Sequence, residues 1–478
     1  MHALLPPPAS YEPHDRADGP PASGPWRLAV ESGPPELAET LRALFGPHLG
    51  DRLLPPSSAR QGPVIRLRID PDVSVPRSCL GIAPDGAPAP VDEAHTVRVE
   101  AGGITCRART AVGLFRAATT ALQLIALAEP GTLLPAADIA DAPRYGWRGL
   151  LIDPARRFVP VEEVRALIDL AALYKLNVLH LHLTDNEGWR IELPSLPALT
   201  SGPAAEGGFY TAAQFTGLQE YAARRHLTLV PEIDLPGHCG ALRAAIPGLP
   251  PAPAPPGLAG RFPYTPPLDL ADPATRQVVG AALADLCALT DGPFVHIGGD
   301  KAVGITDDAF ATAVRALRAL VRAHGKRPLA WQEASRAGVG EDDIVQYWVD
   351  PELMDLPYTE EGLAARADLV GTGISVPLLR ALLRSSRPPQ TTSRAPSTAA
   401  PGFSSPPSPT CTSTGATPPR SPPRSGWAGS HTWDFPRTGR ARSSTSPPGV
   451  PRPMVCRTSG SREWSSPCSA RACATSPT

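Results

Sequence analysis

The chain has 478 residues and a formal net charge of −1. That is long enough for two or three domains with substantial cores, and too evenly balanced for a global attraction to nucleic acid or a membrane surface. No apolar run approaches the roughly 18 residues of a membrane span. The opening MHALLPPPASYEPHDRADG lacks the basic start and apolar core of a secretory leader, so a cytoplasmic location is the expectation.

The average charge hides a split. Residues 1–385 hold 34 basic against 44 acidic side chains, whereas residues 386–478 hold eleven arginines, no lysine and two acids. Cys79, Cys106, Cys239 and Cys287 stand far apart, and Cys411, Cys456, Cys468 and Cys473 form no zinc spacing. Free thiols are expected, with no metal and no cofactor.

Taken in chain order, residues 1–25 are rich in Pro, Gly and Asp and read as a flexible lead-in. Over residues 26–140, PVIRLRID and HTVRVEAGGITCRA alternate apolar and polar positions as strands do, the second broken by a Gly-Gly turn. AVGLFRAATTALQLIAL reads as a helix with one apolar face. The segment is expected to be a small α+β domain.

From residue 141 to 385 the rhythm becomes strand, polar tip, helix. WRGLLID is a strand and VEEVRALIDLAALYK a helix; NVLHLHLTDNEGW is the next strand and tip. TAAQFTGLQEYAARRH opens on a Thr211/Gln214 capping box, and LTLVPEIDLPGH follows as a strand. Asp272 and Pro273 mark a helix start. PFVHIGGD, a helix ending near Gly325, PLAWQEA and DIVQYW complete six units. Repeated strand–helix units imply parallel strands and favour a (β/α)8 TIM barrel, α/β in class, incomplete at its C-terminal end after about six strands. Such a barrel places the polar tips, just after each apolar run, around its active site.

Residues 386–478 carry Ser, Pro, Thr and Arg with neither periodicity. That composition does not bury a core. A disordered tail and an out-of-frame translation of a GC-rich gene are the two readings.

WRGLLIDPARRF, LHLHLTDNEGWRIELP, PEIDLPGH, HIGGDKA, LAWQEA and VQYW resemble, in that order, the motifs of glycoside hydrolase family 20, the β-N-acetylhexosaminidases. The resemblance covers roughly residues 145–350, and residues 26–140 look like the family's accessory domain. It implies exo-hydrolysis of terminal N-acetylglucosamine or N-acetylgalactosamine with retention, in which the substrate's own acetamido oxygen attacks the anomeric carbon. It also implies an oligosaccharide substrate and no nucleic-acid or membrane partner. One carboxylate orients the acetamide, and a neighbouring acid protonates the leaving oxygen. Asp300 matches the first. Lys301 occupies the position of the general acid/base.

By the same resemblance, Asp185 and His238 support the acid/base group; a helix cap and a satisfied core histidine are the competing readings. Arg148 would fork onto sugar hydroxyls, with a buried ion pair as its alternative. Trp331 and Trp348 would wall the acetamido methyl and the sugar face, with core packing as their alternative. Losing the acid typically costs about 10²–10⁴-fold in rate, so impaired activity is expected. A non-catalytic amino-sugar binder and a defective gene product are the alternatives. Glu333 is a further acid at the next strand end.

Overall fold

The computed structural model of the protein describes residues 4–76, 92–253, 265–302, 304–340 and 343–348. The expectations for the 386–478 tail, for Cys79 and for the four tail cysteines lie outside the described residues.

The α+β domain comprises β1 (Ser10–Pro21), β2 (Arg27–Val30), α1 (Leu37–Leu49), β3 (Val64–Ile69), β4 (His95–Glu100), β5 (Gly103–Ala108), α2 (Ala111–Ala126) and β6 (Leu133–Asp141). Its six strands lie in the order β1-β6-β4-β5-β3-β2. The lead-in expected over residues 1–25 is corrected here. Residues 10–21 pair antiparallel with β6, Tyr11 opposite Ile139, and Tyr11 packs on the core. The Pro and Gly residues that signalled looseness are accommodated at an edge strand with register shifts, where a missing N–H is tolerated.

Helix α2 also differs from the one-faced helix expected. It is buried from Gly113 to Ile125, as a helix apolar all round must be, because the sheet covers one side and the barrel the other. On the barrel side Gln123 donates to the Leu173 carbonyl at 2.9 Å, and Arg116 donates to the His226 carbonyl at 3.0 Å.

The second domain runs β7 (Gly149–Ile152), α3 (Val161–Leu173), β8 (Val178–His182), α4 (Ala212–Ala223), β9 (Thr228–Glu232), α5 (Gly240–Ala245), α6 (Pro273–Leu289), β10 (Phe294–His296), α7 (Asp307–Ala323), β11 (Arg327–Trp331) and β12 (Ile344–Gln346). All neighbouring strands are parallel, in the order β12-β11-β10-β9-β8-β7. This is the curled sheet of a (β/α)8 barrel, of which the described residues supply six strands. The Thr211/Gln214 capping box forms at α4, and the Asp272 side chain caps α6 ahead of Pro273.

Because side chains alternate along a strand, the barrel interior is layered. Val178, Val230, Phe294 and Leu329 form an apolar cluster of their own. Two residues further along the same four strands stand His180, Glu232, His296 and Trp331, whose side chains meet. Another two residues on, His182 and Asp234 line a cavity at the C-terminal ends of the strands.

Candidate active site

The strand-end cavity has a volume of about 160 Å³ and is lined by Leu151, Asp153, Arg156, His182, Asp234, His238, Asp300, Lys301, Trp331 and Trp348. Of the residues singled out from the sequence, Asp300, Lys301, His238, Trp331 and Trp348 therefore share one cavity, with Asp185 directly behind it.

The Gly298–Gly299 turn that carries Asp300 has φ of 72° and 87°, a region open mainly to glycine. A Cβ on Gly298 would lie 1.8 Å from Asp234 Oδ1. The glycines thus let the β10 tip close over the β9 tip, and Gly299 N–H donates to Asp234 Oδ1 at 3.0 Å. Lys301 and His238, both non-glycine, hold left-handed φ of 38° and 45°. Strain of this kind is retained where the surroundings over-determine the backbone.

A chain of alternating acids and bases runs from the barrel core to this turn. Trp331 Nε1 donates to Glu232 at 2.7 Å, Glu232 meets His182 Nδ1 at 2.7 Å, and His182 Nε2 meets Asp185 at 2.9 Å. Asp185 in turn meets His238 Nδ1 at 2.7 Å, and His238 Nε2 lies 3.2 Å from Asp300 Oδ1. Lys301 Nζ closes the series, donating to Asp300 Oδ2 at 2.8 Å.

Burial alone would push these imidazoles down. The Glu232 and Asp185 partners instead lift His182 to about 11, and Asp234, Asp185 and Asp300 lift His238 to about 10. Both are cations at neutral pH. Burial would raise Asp300, but His238 and Lys301 hold it well below the carboxylate range. Desolvation would lower Lys301, but Asp300 raises it. Lys301 is thus an ammonium, 45% exposed, with its Nζ 4.6 Å from the centre of the Trp348 ring. Glu333 is pushed up to about 7 by burial and then by Asp300. It sits beneath Trp348, whose Nε1 donates to both of its oxygens at 3.1 Å.

Arg148 is corrected by the structure. It precedes β7 and so lies at the N-terminal end of the barrel, one strand length (on the order of 13 Å for four residues) from the tips. Its guanidinium donates to Glu93 at 2.6 Å and to the carbonyls of Lys175 and Tyr145. Arg148 thus forms the buried ion pair and is absent from the lining of the cavity that holds Asp300. The arginine at the tip is Arg156, in the same quoted motif. It pairs with Asp153 at 2.6 Å and with Asp185, and it lines the cavity. Its position after the apolar run, shared with Asp185 and Asp300, was the signal that separates it from Arg148. Arg190 fixes that loop by donating to the Pro154 and Ala155 carbonyls at 3.0 Å. Asp234 is a second residue the sequence reading passed over, though PEID ends its strand in the same way.

Among the described residues three groups have metal-like donor sets, His180–Glu232–His296, His182–Glu232–Asp234 and Asp234–His238–Asp300. None fits an ion. Glu232 is already approached by Trp331 Nε1, His182 and His180 at 2.7–2.9 Å and by His296 at 3.2 Å. His238, as a cation, has no lone pair to offer.

Strand-end carboxylates, an arginine and two tryptophans thus line one cavity at the C-terminal end of the strands, the end at which barrels of this class carry their active sites. Comparison with known proteins places it more closely. The catalytic domain of Glycosyl hydrolase family 20 matches residues 145–305, and domain 2 of that family matches residues 1–142. The β-N-acetylhexosaminidase of Cellulomonas fimi is 40% identical over 298 residues, covering 60% of this chain and 56% of that protein. The β-hexosaminidase of Vibrio furnissii is 32% identical over 301 residues, covering 54% and 49%. Among solved structures, a family 20 β-N-acetylglucosaminidase aligns with a TM-score of 0.58 and 34% identity, over 78% of this chain and 74% of that one. A mutant Streptomyces plicatus β-hexosaminidase in complex with its product GlcNAc aligns at 0.59 and 31%, over 78% and 73%. The chain belongs to glycoside hydrolase family 20. It spans about half the length of the curated relatives it matches.

Proposed function

We propose that this chain is an exo-acting β-N-acetylhexosaminidase by descent, shaped to take a terminal N-acetylglucosamine or N-acetylgalactosamine and to use that sugar's acetamide as the nucleophile. One observation carries the reading. Asp300 Oδ1 is buried and makes no hydrogen bond, its 3.2 Å contact with His238 being out of alignment. A buried anionic oxygen left without a donor is costly, and an acetamido N–H arriving in the cavity would supply one. Trp331 and Trp348 give that ligand apolar walls, and Arg156 a guanidinium for its hydroxyls.

In this mechanism Asp300 orients the acetamide and balances the charge of the oxazolinium formed as the glycosidic bond breaks. His238 and Asp185, both ionised, hold Asp300 in place. The leaving oxygen needs a proton, and Lys301 is a poor donor because its ammonium is held above its ordinary pKa. Turnover of unactivated glycosides is therefore low. The test is hydrolysis of an unactivated substrate, a β-linked disaccharide of N-acetylglucosamine, before and after Lys301→Glu, with p-nitrophenol release from the activated glycoside as the reference that needs no acid. Restoring the acid is expected to raise kcat/KM by about 10²–10⁴-fold; no gain in a folded, sugar-binding variant would sink the reading.

Lys301 itself favours a second reading, an amino-sugar binder without turnover. Calorimetry with N-acetylglucosamine separates the two: saturable binding with no hydrolysis, unchanged by Lys301→Glu, would support the binder.

A further inference from the structure

Asp234 lies at the end of β9, 1% exposed, in the wall of the same cavity as Asp300. Its Oδ1 accepts the Gly299 N–H at 3.0 Å, and its own N–H is held by Thr184 Oγ1 at 3.1 Å. No hydrogen bond reaches Oδ2 from the described residues, and the cation facing it, His238 Nε2, stands 3.9 Å away. An oxygen of Asp300 lies within 4.8 Å of Asp234 and His238. Two buried carboxyls thus flank one imidazolium, and Asp300 alone takes the closer contact and the Lys301 ammonium besides.

We infer that Asp234 is a proton-bearing carboxylic acid in this cavity and presents its Oδ2–H to the bound sugar, making it a ligand-contact residue alongside Asp300. Carboxyls that share a site titrate apart, because both cannot ionise without strong repulsion. Asp300, with two cationic neighbours, is the ionised member, and with Asp185 at 2.7 Å it keeps His238 a cation once Asp234 carries its proton. Asp234 faces Asp300 and Glu232 as anions against His238 and His182 as cations. Burial first, and then Asp300, push it well above the usual carboxylate range. Oδ1, already an acceptor, is the carbonyl oxygen, which leaves the proton on Oδ2.

The identity of the ligand rests on the hexosaminidase reading; the proton does not. The first experiment is infrared spectroscopy of the full chain labelled with 13C at the aspartate carboxyl. At pH 7 an isotope-shifted band of a protonated carboxyl is expected. It should be lost in Asp234→Asn and return without the isotope shift in Asp234→Glu, where the acid is unlabelled. A folded parent with only carboxylate bands, or a band that survives both substitutions, would overturn the inference. The second experiment is calorimetric titration with N-acetylglucosamine. Asp234→Asn, whose amide still donates, should bind within about threefold of the parent, whereas Asp234→Ala should lose about tenfold or more, the worth of a buried hydrogen bond. Equal losses in both variants would overturn the contact. If the parent itself takes up no sugar, the hexosaminidase reading and the sugar contact fall together, while the infrared band still decides the proton.

Discussion

Two buried charge networks sit at opposite ends of the barrel, and they are built differently. At the N-terminal end Glu93 receives Arg116 at 2.8 Å and Arg148 at 2.6 Å, and Lys175 meets Asp141 at 2.6 Å. Each of these acids has a cation, and the groups tie the α+β domain to the barrel. At the C-terminal end, among the described residues, the series from Glu232 to Lys301 leaves Asp300 Oδ1 without a hydrogen bond and Asp234 Oδ2 with only a 3.9 Å approach from His238. A network with every acid matched fastens two domains. A network with unmatched acceptors and a stored proton is suited to receive a ligand. The end whose acids are all matched therefore reads as structural and the end with unmatched acceptors as functional, although the acids at both ends are buried.

The sharpest way to test that contrast is pH, because the raised imidazolium pair gives the C-terminal end an alkaline branch as well as the acid branch of its carboxylates. His182 and His238 are raised to about 11 and about 10. A raised folded-state pKa contributes stability that is complete below the unfolded value of about 6.5 and is lost as pH climbs through the folded value. Glu93 is lowered from its ordinary value, by Arg116 and Arg148 acting against burial. Its contribution is present above the unfolded carboxylate range and is lost as pH falls. Melting temperatures from pH 3 to pH 11 should show both branches. His182→Gln should weaken the alkaline branch, whereas Glu93→Gln should weaken the acid branch and leave the alkaline branch as it is. If Glu93→Gln weakened the alkaline branch as much as His182→Gln does, the separation of the two ends would be wrong.

Next in size is the removal of one partner from the paired end. Glu93→Ala leaves Arg116, 1% exposed, and Arg148 facing each other without an anion. Breaking a buried pair in this way costs about 3–5 kcal/mol, readable by denaturant titration. Loss of less than about 1 kcal/mol, the range of exposed pairs, would mean that this network is not the fastener.

The two arginines of one motif give a smaller and more selective contrast. Arg156→Ala should weaken N-acetylglucosamine binding by about ten- to a hundredfold, the range of a hydrogen bond to a charged group. Arg148→Ala should leave affinity unchanged and lower stability. The reverse pattern would restore the sequence reading of Arg148.

That pair also shows what was legible in the sequence. Period-two alternation in NVLHLHLTD places His180 and His182 inward, and the structure stacks them above Val178. The cap at Thr211, the Asp272–Pro273 helix start and the Gly-Gly before Asp300 are local signals, and each forms as expected. Arg148 against Arg156 depended on which end of a four-residue strand each occupies, a boundary that pattern alone sets poorly. The pairing of β1 with β6 joins residues more than a hundred apart, and nothing within residues 10–21 announces its partner. Asp234 was hidden differently: its meaning comes from Asp300 and His238, which approach it only in the folded barrel.

The smallest effect serves as a control on all the others. Thr211 caps α4 by accepting from Gln214 N–H at 3.1 Å, while the Gln214 side chain accepts from Thr211 N–H at 2.9 Å. Thr211→Ala removes half of this box and exposes a backbone N–H to water, which costs about 1 kcal/mol. Neither residue lines the cavity. The variant should melt a few degrees lower, bind N-acetylglucosamine as the parent does and keep both pH branches. If so modest a loss at a helix start also moved sugar affinity, then the affinity changes at Arg156 and Asp234 would report general loosening of the barrel, and the assignment of unmatched groups to the ligand would lose its support.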